Sequence, residues 1–132
     1  MTPKFRGFRK DGKGWVEGYY WRDNTNGKHK ITSDLSDDNF VCHEIHPESL
    51  AMSTGLTDKH GKEIFGSIPI DGVMSKGGDV LAVGGGIFIG NVIFKDGSFI
   101  IENNKMERFR YLHSVVPEMS YEIIGNQYES NG

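Results

Sequence analysis

Cysteine is nearly absent. Cys42 stands alone among 132 residues, so no disulfide can form within the chain. Small secreted folds depend on such bridges, and their lack fits a reducing cytosol. Proline is scarce as well, at four residues. Long apolar runs are missing. The most apolar stretch, residues 80–94, is broken by Gly84, Gly85, Gly86, Gly90 and Asn91, too short and interrupted for a membrane helix. Lys4 and Arg6 open the chain without an apolar run behind them, unlike a secretory signal. The expectation is a cytoplasmic protein with no membrane partner. Heptads, long repeats and low-complexity linkers are also lacking. The length suits one domain, 1–132, or two very small intertwined β lobes.

Glycine is what the chain has in excess. Its 18 residues are about twice average usage, which favours short strands joined by tight turns. The net charge of −3 hides an asymmetry. Residues 1–30 carry eight Lys/Arg and three Asp/Glu, a balance of +5, and the rest carry seven and fifteen, a balance of −8. The basic end is either a local footprint for an anionic partner or the complement of the acidic remainder within the fold.

Residues 54–65, Thr-Gly-Leu-Thr-Asp-Lys-His-Gly-Lys-Glu-Ile-Phe, read as a tight turn between two strands. Asp58 and Gly61 have the spacing of positions i and i+3 of a type I turn. Asp58 can accept a backbone N–H two residues on, and Gly61 can take a positive φ. Leu56 on one side and Ile64 and Phe65 on the other supply the apolar flanks of a bulged hairpin. Before it, the first thirty residues suggest a three-strand meander with turns at Asp11–Gly12 and Asp23–Gly27, and a strand is expected over 40–46. After it, residues 66–78 read as a loop with short extended pieces. Strands are expected over 79–83 and 87–94, with Gly84–Gly86 as a turn, and over 99–102 after an Asp96–Gly97 turn. The 87–94 strand is apolar on both parities and reads as buried on both sides. Met106, Phe109, Tyr111, Leu112 and Val116 come near helical spacing, so one short helix is expected over 103–116, with Pro117 ending it. A last strand is expected over 120–124.

Few constellations point to chemistry. Cys42, His43, Glu44 and His46 are dense in potential ligands, but His43 and His46 face opposite ways on a strand and no second pair exists. No metal site is expected. Gly84–Gly86 is not followed by a helix carrying Lys and Ser/Thr, so no phosphate loop is expected. No nucleophile motif of the G-x-S-x-G type occurs, and the paired carboxylates Asp37 and Asp38 read as solvated. The chain is expected to be neither an enzyme nor a cofactor carrier. One constellation remains, at the N-terminus. Lys4, Arg6 and Arg9 are interleaved with Trp15, Tyr20 and Trp21, the cation and aromatic mixture that single-stranded nucleic acid binders use. The same aromatics could fill a core, or anchor a protein partner.

Residues 54–65 are similar to a "TGLKDKNGKEIY" signature, and residues 121–129, Tyr-Glu-Ile-Ile-Gly-Asn-Gln-Tyr-Glu, to a closing "EVIGNIYEN". The opening Lys4-Phe5-Arg6-Gly7-Phe8 resembles "KFRAW". Together these segments resemble the YopX family of small phage and prophage proteins. The resemblance implies a mainly β fold built like small SH3-type barrels, a phage or prophage gene, and no established activity. Together the two lines of reading give a mainly β protein with one short helix near the C-terminus. Its expected job is docking on a host or phage protein, with homo-oligomers through exposed strand edges in view. Nucleic-acid binding through Lys4, Arg6, Arg9, Trp15, Tyr20 and Trp21 is the alternative.

Overall fold

The computed structural model describes residues 4–33, 41–112 and 120–129. The expectations placed on Asp37, Asp38, Phe40, Val116 and Pro117 lie outside these residues. The fold is mainly β. Three strands form the expected meander: β1 (Phe5–Phe8), β2 (Trp15–Arg22) and β3 (His29–Ser33), followed by β4 (Val41–Glu44). A 3-10 turn, Pro47–Ser49, leads into β5 (Ala51–Thr57) and β6 (Glu63–Ser67). The glycine-broken stretch after it holds β7 (Pro69–Ile70) and β8 (Val73–Met74). Then come β9 (Asp79–Val83), β10 (Phe88–Lys95), β11 (Ser98–Asn103), β12 (Arg108–Tyr111) and β13 (Tyr121–Asn126). Among the described residues no helix is long and apolar enough to cross a membrane.

One hydrogen-bonded path runs β12-β11-β10-β6-β5-β1-β2-β3-β4, with β9 pairing β10 and β13 off the path. All of these pairings are antiparallel except β6 with β10, which meet in parallel at Ser67 and Ile93. Two apolar clusters lie under this sheet. The first gathers Val16, Ile31, Ile45 and Leu50, with Phe5 and Tyr20 packed against it. The second gathers Ile64, Leu81, Val83, Phe88, Val92, Ile101 and Leu112. The alternation of β2 explains its share: Val16 and Tyr20 share a parity and face the first cluster. Ile31, Ile45 and Leu50 have no exposed surface, and truncating such a residue costs about 2–5 kcal/mol.

Three expectations need correction. The helix over 103–116 is not formed where the chain is described. Asn103 ends β11, its side-chain oxygen accepts the Met106 N–H at 3.0 Å, and Glu107 takes a φ of 52°. The chain therefore reverses and β12 pairs back, Glu102 opposite Phe109 and Ile100 opposite Tyr111. The alternation Arg-Phe-Arg-Tyr suits a strand, and the pairing available on β11 outweighs the weaker helical spacing. The expected closed barrel is not formed either. The path is open at β12 and β4 among the described residues, although Arg9 bridges Ile45 and curls the first four strands. Finally, β10 is not buried on both sides throughout. Val92 and Ile93 are buried on opposite sides, but Ile87, just before the strand, is 67% exposed and Ile89 41%, because the start of β10 lies at the rim of the sheet.

Candidate docking surface

Most of the N-terminal basic residues are spent on internal pairs. Lys4 Nζ lies 2.6 Å from Glu63 and 3.3 Å from Glu17. Arg6 is held more deeply. Its Nη2 donates to the Asp79 carboxylate at 2.7 Å and to Gly77 O at 2.8 Å, and its guanidinium is flanked by the rings of Trp15 and Phe65 at 4.9 and 4.7 Å. Asp79 is buried and also accepts the Phe65 N–H at 2.8 Å. Burial pushes its carboxyl above the usual aspartate range, against the pull of Arg6. Arg9 pairs with Asp11, Lys10 and Lys28 with Glu44, Arg22 with Asp71 and Lys30 with Asp23.

The aromatics of the same segment divide between the two sides of β2. Trp15 packs between Phe8 and Tyr128 at 5.5 and 5.7 Å and donates its indole N–H to Glu129. Tyr20 faces the core, packs on Phe5, and shares a hydrogen bond of 2.7 Å with His29. Trp21 is 39% exposed, with its N–H donated to Thr32 at 2.9 Å and Lys30 over its ring. The six residues singled out in the sequence therefore do not converge. Arg6 and Trp15 share one seam, Tyr20 belongs to the core, and Trp21 lies on the opposite side of β2 from Tyr20.

The Cys42–His46 segment is used structurally. Cys42 contacts Thr32 Oγ1 at 3.2 Å, Glu44 pairs with lysines, and His46 stacks near Tyr128. The hairpin turn forms as its residues imply. Gly61 has φ 79°, and Asp58 Oδ1 accepts the His60 and Lys62 N–H groups at 2.9 Å each. What the sequence did not reveal is the far side of this turn. Asp58 Oδ2 accepts the Ile123 N–H at 3.1 Å, and the Lys59 N–H donates to Tyr121 O at 2.9 Å. Burial opposes ionisation of Asp58, but the Ile123, Lys62 and His60 N–H groups outweigh it and hold the carboxyl below its ordinary value. Residues 54–65 and 121–129 are thus clasped to each other.

The open surface lies elsewhere, on the β10–β12 hairpins. Pairing register sets its two sides. One side carries Ile89, Asn91, Ile93, then Ile100 and Glu102, then Phe109 and Tyr111, with Ile93 and Ile100 buried. The core side carries Phe88, Val92, Ile101 and, on β12, Arg108 and Arg110. Phe109 is 54% exposed, Tyr111 46% and Met106 48%, and the Phe109 and Tyr111 rings meet edge to face at 5.5 Å. Arg110 lies over the Phe88 ring at 5.2 Å. Among the described residues Lys105, Arg108 and Arg110 have no carboxylate partner. A hollow of about 120 Å³ opens beside Ile100, Phe109 and Tyr111, and Lys95 and Glu102 join it to a cleft of about 560 Å³ lined by Lys76, Val80, Asn91, Ile93 and Gln127. Sequence reasoning missed this surface because 103–116 read as a helix. The strict alternation over 108–111 was the signal that could have found it.

Among known proteins, the family model described as YopX protein matches residues 4–132, nearly the whole chain. No curated protein matches significantly.

Proposed function

The chain belongs to the YopX family, and from that membership and its surface we propose a small, non-catalytic, cytoplasmic binding module that docks on a host or phage protein. The observation that supports this reading most is the β10–β12 surface. It combines exposed Ile87, Ile89, Met106, Phe109 and Tyr111 with Arg108 and Arg110, which have no carboxylate partner among the described residues. Aromatic residues and arginine contribute most to protein hot spots, and exposed apolar patches mark interaction sites. We further infer that the β1–β4 lobe is an open relative of the SH3-type barrel, supported by its curl at the Arg9–Ile45 bridge.

Nucleic-acid binding through the N-terminal meander has weaker support. Lys4, Arg6 and Arg9 each already carry a carboxylate, and phosphate would have to displace it. The docking reading is tested with a photo-crosslinking residue at Phe109 and, as control, at Lys13. Capture of a discrete protein at position 109 only is expected. With that protein purified, Phe109→Ser should weaken binding by about 2 kcal/mol, roughly thirtyfold. Equal capture at both positions, or unchanged affinity of the variant, would refute it.

A further inference from the structure

We propose that the β7–β8 hairpin is a flap, latched over a small cavity by Arg22 and His29, and that uptake of a proton by His29 releases it. None of the β10–β12 surface takes part, so docking there and release here stand or fall separately.

The hairpin is fixed at its base and lightly held at its tip. Strands β7 and β8 pair with each other, outside the main sheet, and two strands by themselves are marginal in water. At the base the Ser75 N–H donates to Ile68 O at 2.8 Å, and Ser75 Oγ accepts the Ile68 N–H at 3.0 Å. At the tip Asp71 and Gly72 take φ values of 51° and 81°. That is the two-residue turn an Asp-Gly pair favours, and it keeps the hairpin's shape when the hairpin moves. Beneath the tip is a cavity of about 220 Å³, bounded by His29, Pro47 and Glu48 below and by Ile70, Asp71 and Met74 on the flap. Ile70 rests half-buried against the first apolar cluster, and Arg22 Nη2 ties the tip to β2 through Asp71 Oδ2 at 2.5 Å.

His29 sits under this latch. The same Arg22 Nη2 donates to His29 Nε2 at 3.3 Å. A guanidinium has no acceptor, so Nε2 must be the bare nitrogen and the proton sits on Nδ1, directed at Tyr20 Oη 2.7 Å away. The Tyr20 ring stacks on the imidazole at 5.9 Å. Around His29 stand Tyr20 and Arg22 from β2, Lys10 from the turn before it, Glu48 from the 3-10 turn and Asp71 from the flap. Lys28 and Lys30 flank it in the chain and are paired with Glu44 and Asp23. A second proton, on Nε2, would set an N–H and a positive charge against the Arg22 guanidinium. Arg22 and the imidazolium would then compete for Asp71, whose side chain is 69% exposed.

The sign follows from linkage. Burial, and after it the Arg22 charge, hold the His29 pKa below its ordinary value, against the pull of Asp71. Opening the flap uncovers the ring and lets Arg22 turn away, so the open form binds the proton better. Closure is complete above the ordinary histidine value and weakens as the pH falls from there toward the closed one. Asp71 stays ionised over that range, because Arg22 holds its carboxyl below the usual aspartate value.

The test uses a nitroxide on Val73→Cys, a 71% exposed flap position, with Cys42→Ser so that the label attaches once. Paramagnetic broadening of the Arg22 and His29 amides should be strong at about pH 7.5 and lost by about pH 5, the span in which histidine titrates. His46 lies 3.7 Å from Glu48, so the comparison is His29→Asn in the same labelled chain, which should keep its broadening throughout. The reciprocal measurement needs no label. Ile70→Ser loosens the flap without touching a charge, and it should move the His29 titration, read from its ring-proton shifts, up toward about 6.5. Broadening that persists at low pH, or an equal loss in the His29→Asn chain, would overturn the proposal. So would an unmoved His29 midpoint in Ile70→Ser, or a loss of broadening that coincides with collapse of the β10 and β11 amide shifts, which is global unfolding.

Discussion

Replacing Asp58 by alanine should unclasp the central hairpin from β13. The carboxylate accepts three backbone N–H groups: His60 and Lys62 within the turn, and Ile123 across the chain. A hydrogen bond to a charged group contributes about 1.5–3 kcal/mol. The His60 and Lys62 amides lie at an exposed tip and can turn to water, so their loss costs less. The Ile123 amide is partly covered, and leaving it unmatched costs the upper part of the range. The expected loss is about 3–4 kcal/mol, or roughly 10 °C in melting temperature for a chain of this size. Asp58→Asn keeps one carbonyl oxygen for the turn but sets an NH2 against the Ile123 N–H, at a cost of about 1–2 kcal/mol.

Titration gives an independent check. The folded Asp58 carboxyl lies below its unfolded value. Its contribution is therefore present above the ordinary aspartate range and is lost as the pH falls through the folded value. The stability gap between the native chain and Asp58→Asn should shrink below about pH 4. Urea unfolding at several pH values measures the gap, and hydrogen exchange at Ile123 shows whether that bond is the one released. A loss under about 1 kcal/mol for Asp58→Ala, or a gap that does not change with pH, would refute the reasoning.

Other substitutions probe the seam between the two apolar clusters. An added Cβ at Gly77 would lie 1.8 Å from Ser49 O, and at Gly78 2.5 Å from Ser67 N and Val92 O. Because those atoms are backbone and cannot step aside, either glycine changed to alanine should cost about 3 kcal/mol or more. Lys76→Ala beside them should stay within about 0.5 kcal/mol, and urea midpoints compare the three. Arg6→Ala leaves the buried Asp79 carboxylate without its cation and should cost about 3–5 kcal/mol near neutral pH. Because burial raises the Asp79 carboxyl, the stability tied to its protonated form is fullest below the unfolded value and lost as pH rises through the folded one, so the Arg6→Ala deficit should shrink on acidification. Arg6→Met with Asp79→Leu should recover part of the loss but not all, since the Phe65 N–H then lacks its acceptor.

Much of the β framework could be read from neighbours in the chain. Asp58 and Gly61 dictate their turn through one side-chain acceptor and one positive φ. Asp96–Gly97 closes β10 on β11 with Lys95 opposite Ser98, and aromatic β2 lies where its composition placed it. Local dihedral preference and alternation are enough for these. The segments that carry the family resemblance were equally plain. Tertiary structure decided what such signals cannot encode, namely which partner each residue meets. Arg6 finds its carboxylate 73 residues away at Asp79, and that pairing turns an apparent anion-binding end into an internal seam. Asp58 meets Ile123 only because β13 lies beside the hairpin. Over 103–111 two periodicities competed, and the pairing edge offered by β11 chose the strand. The exposure of the cations and aromatics of β12 follows from that choice, because strand order, set by the whole sheet, decides where that strand lies.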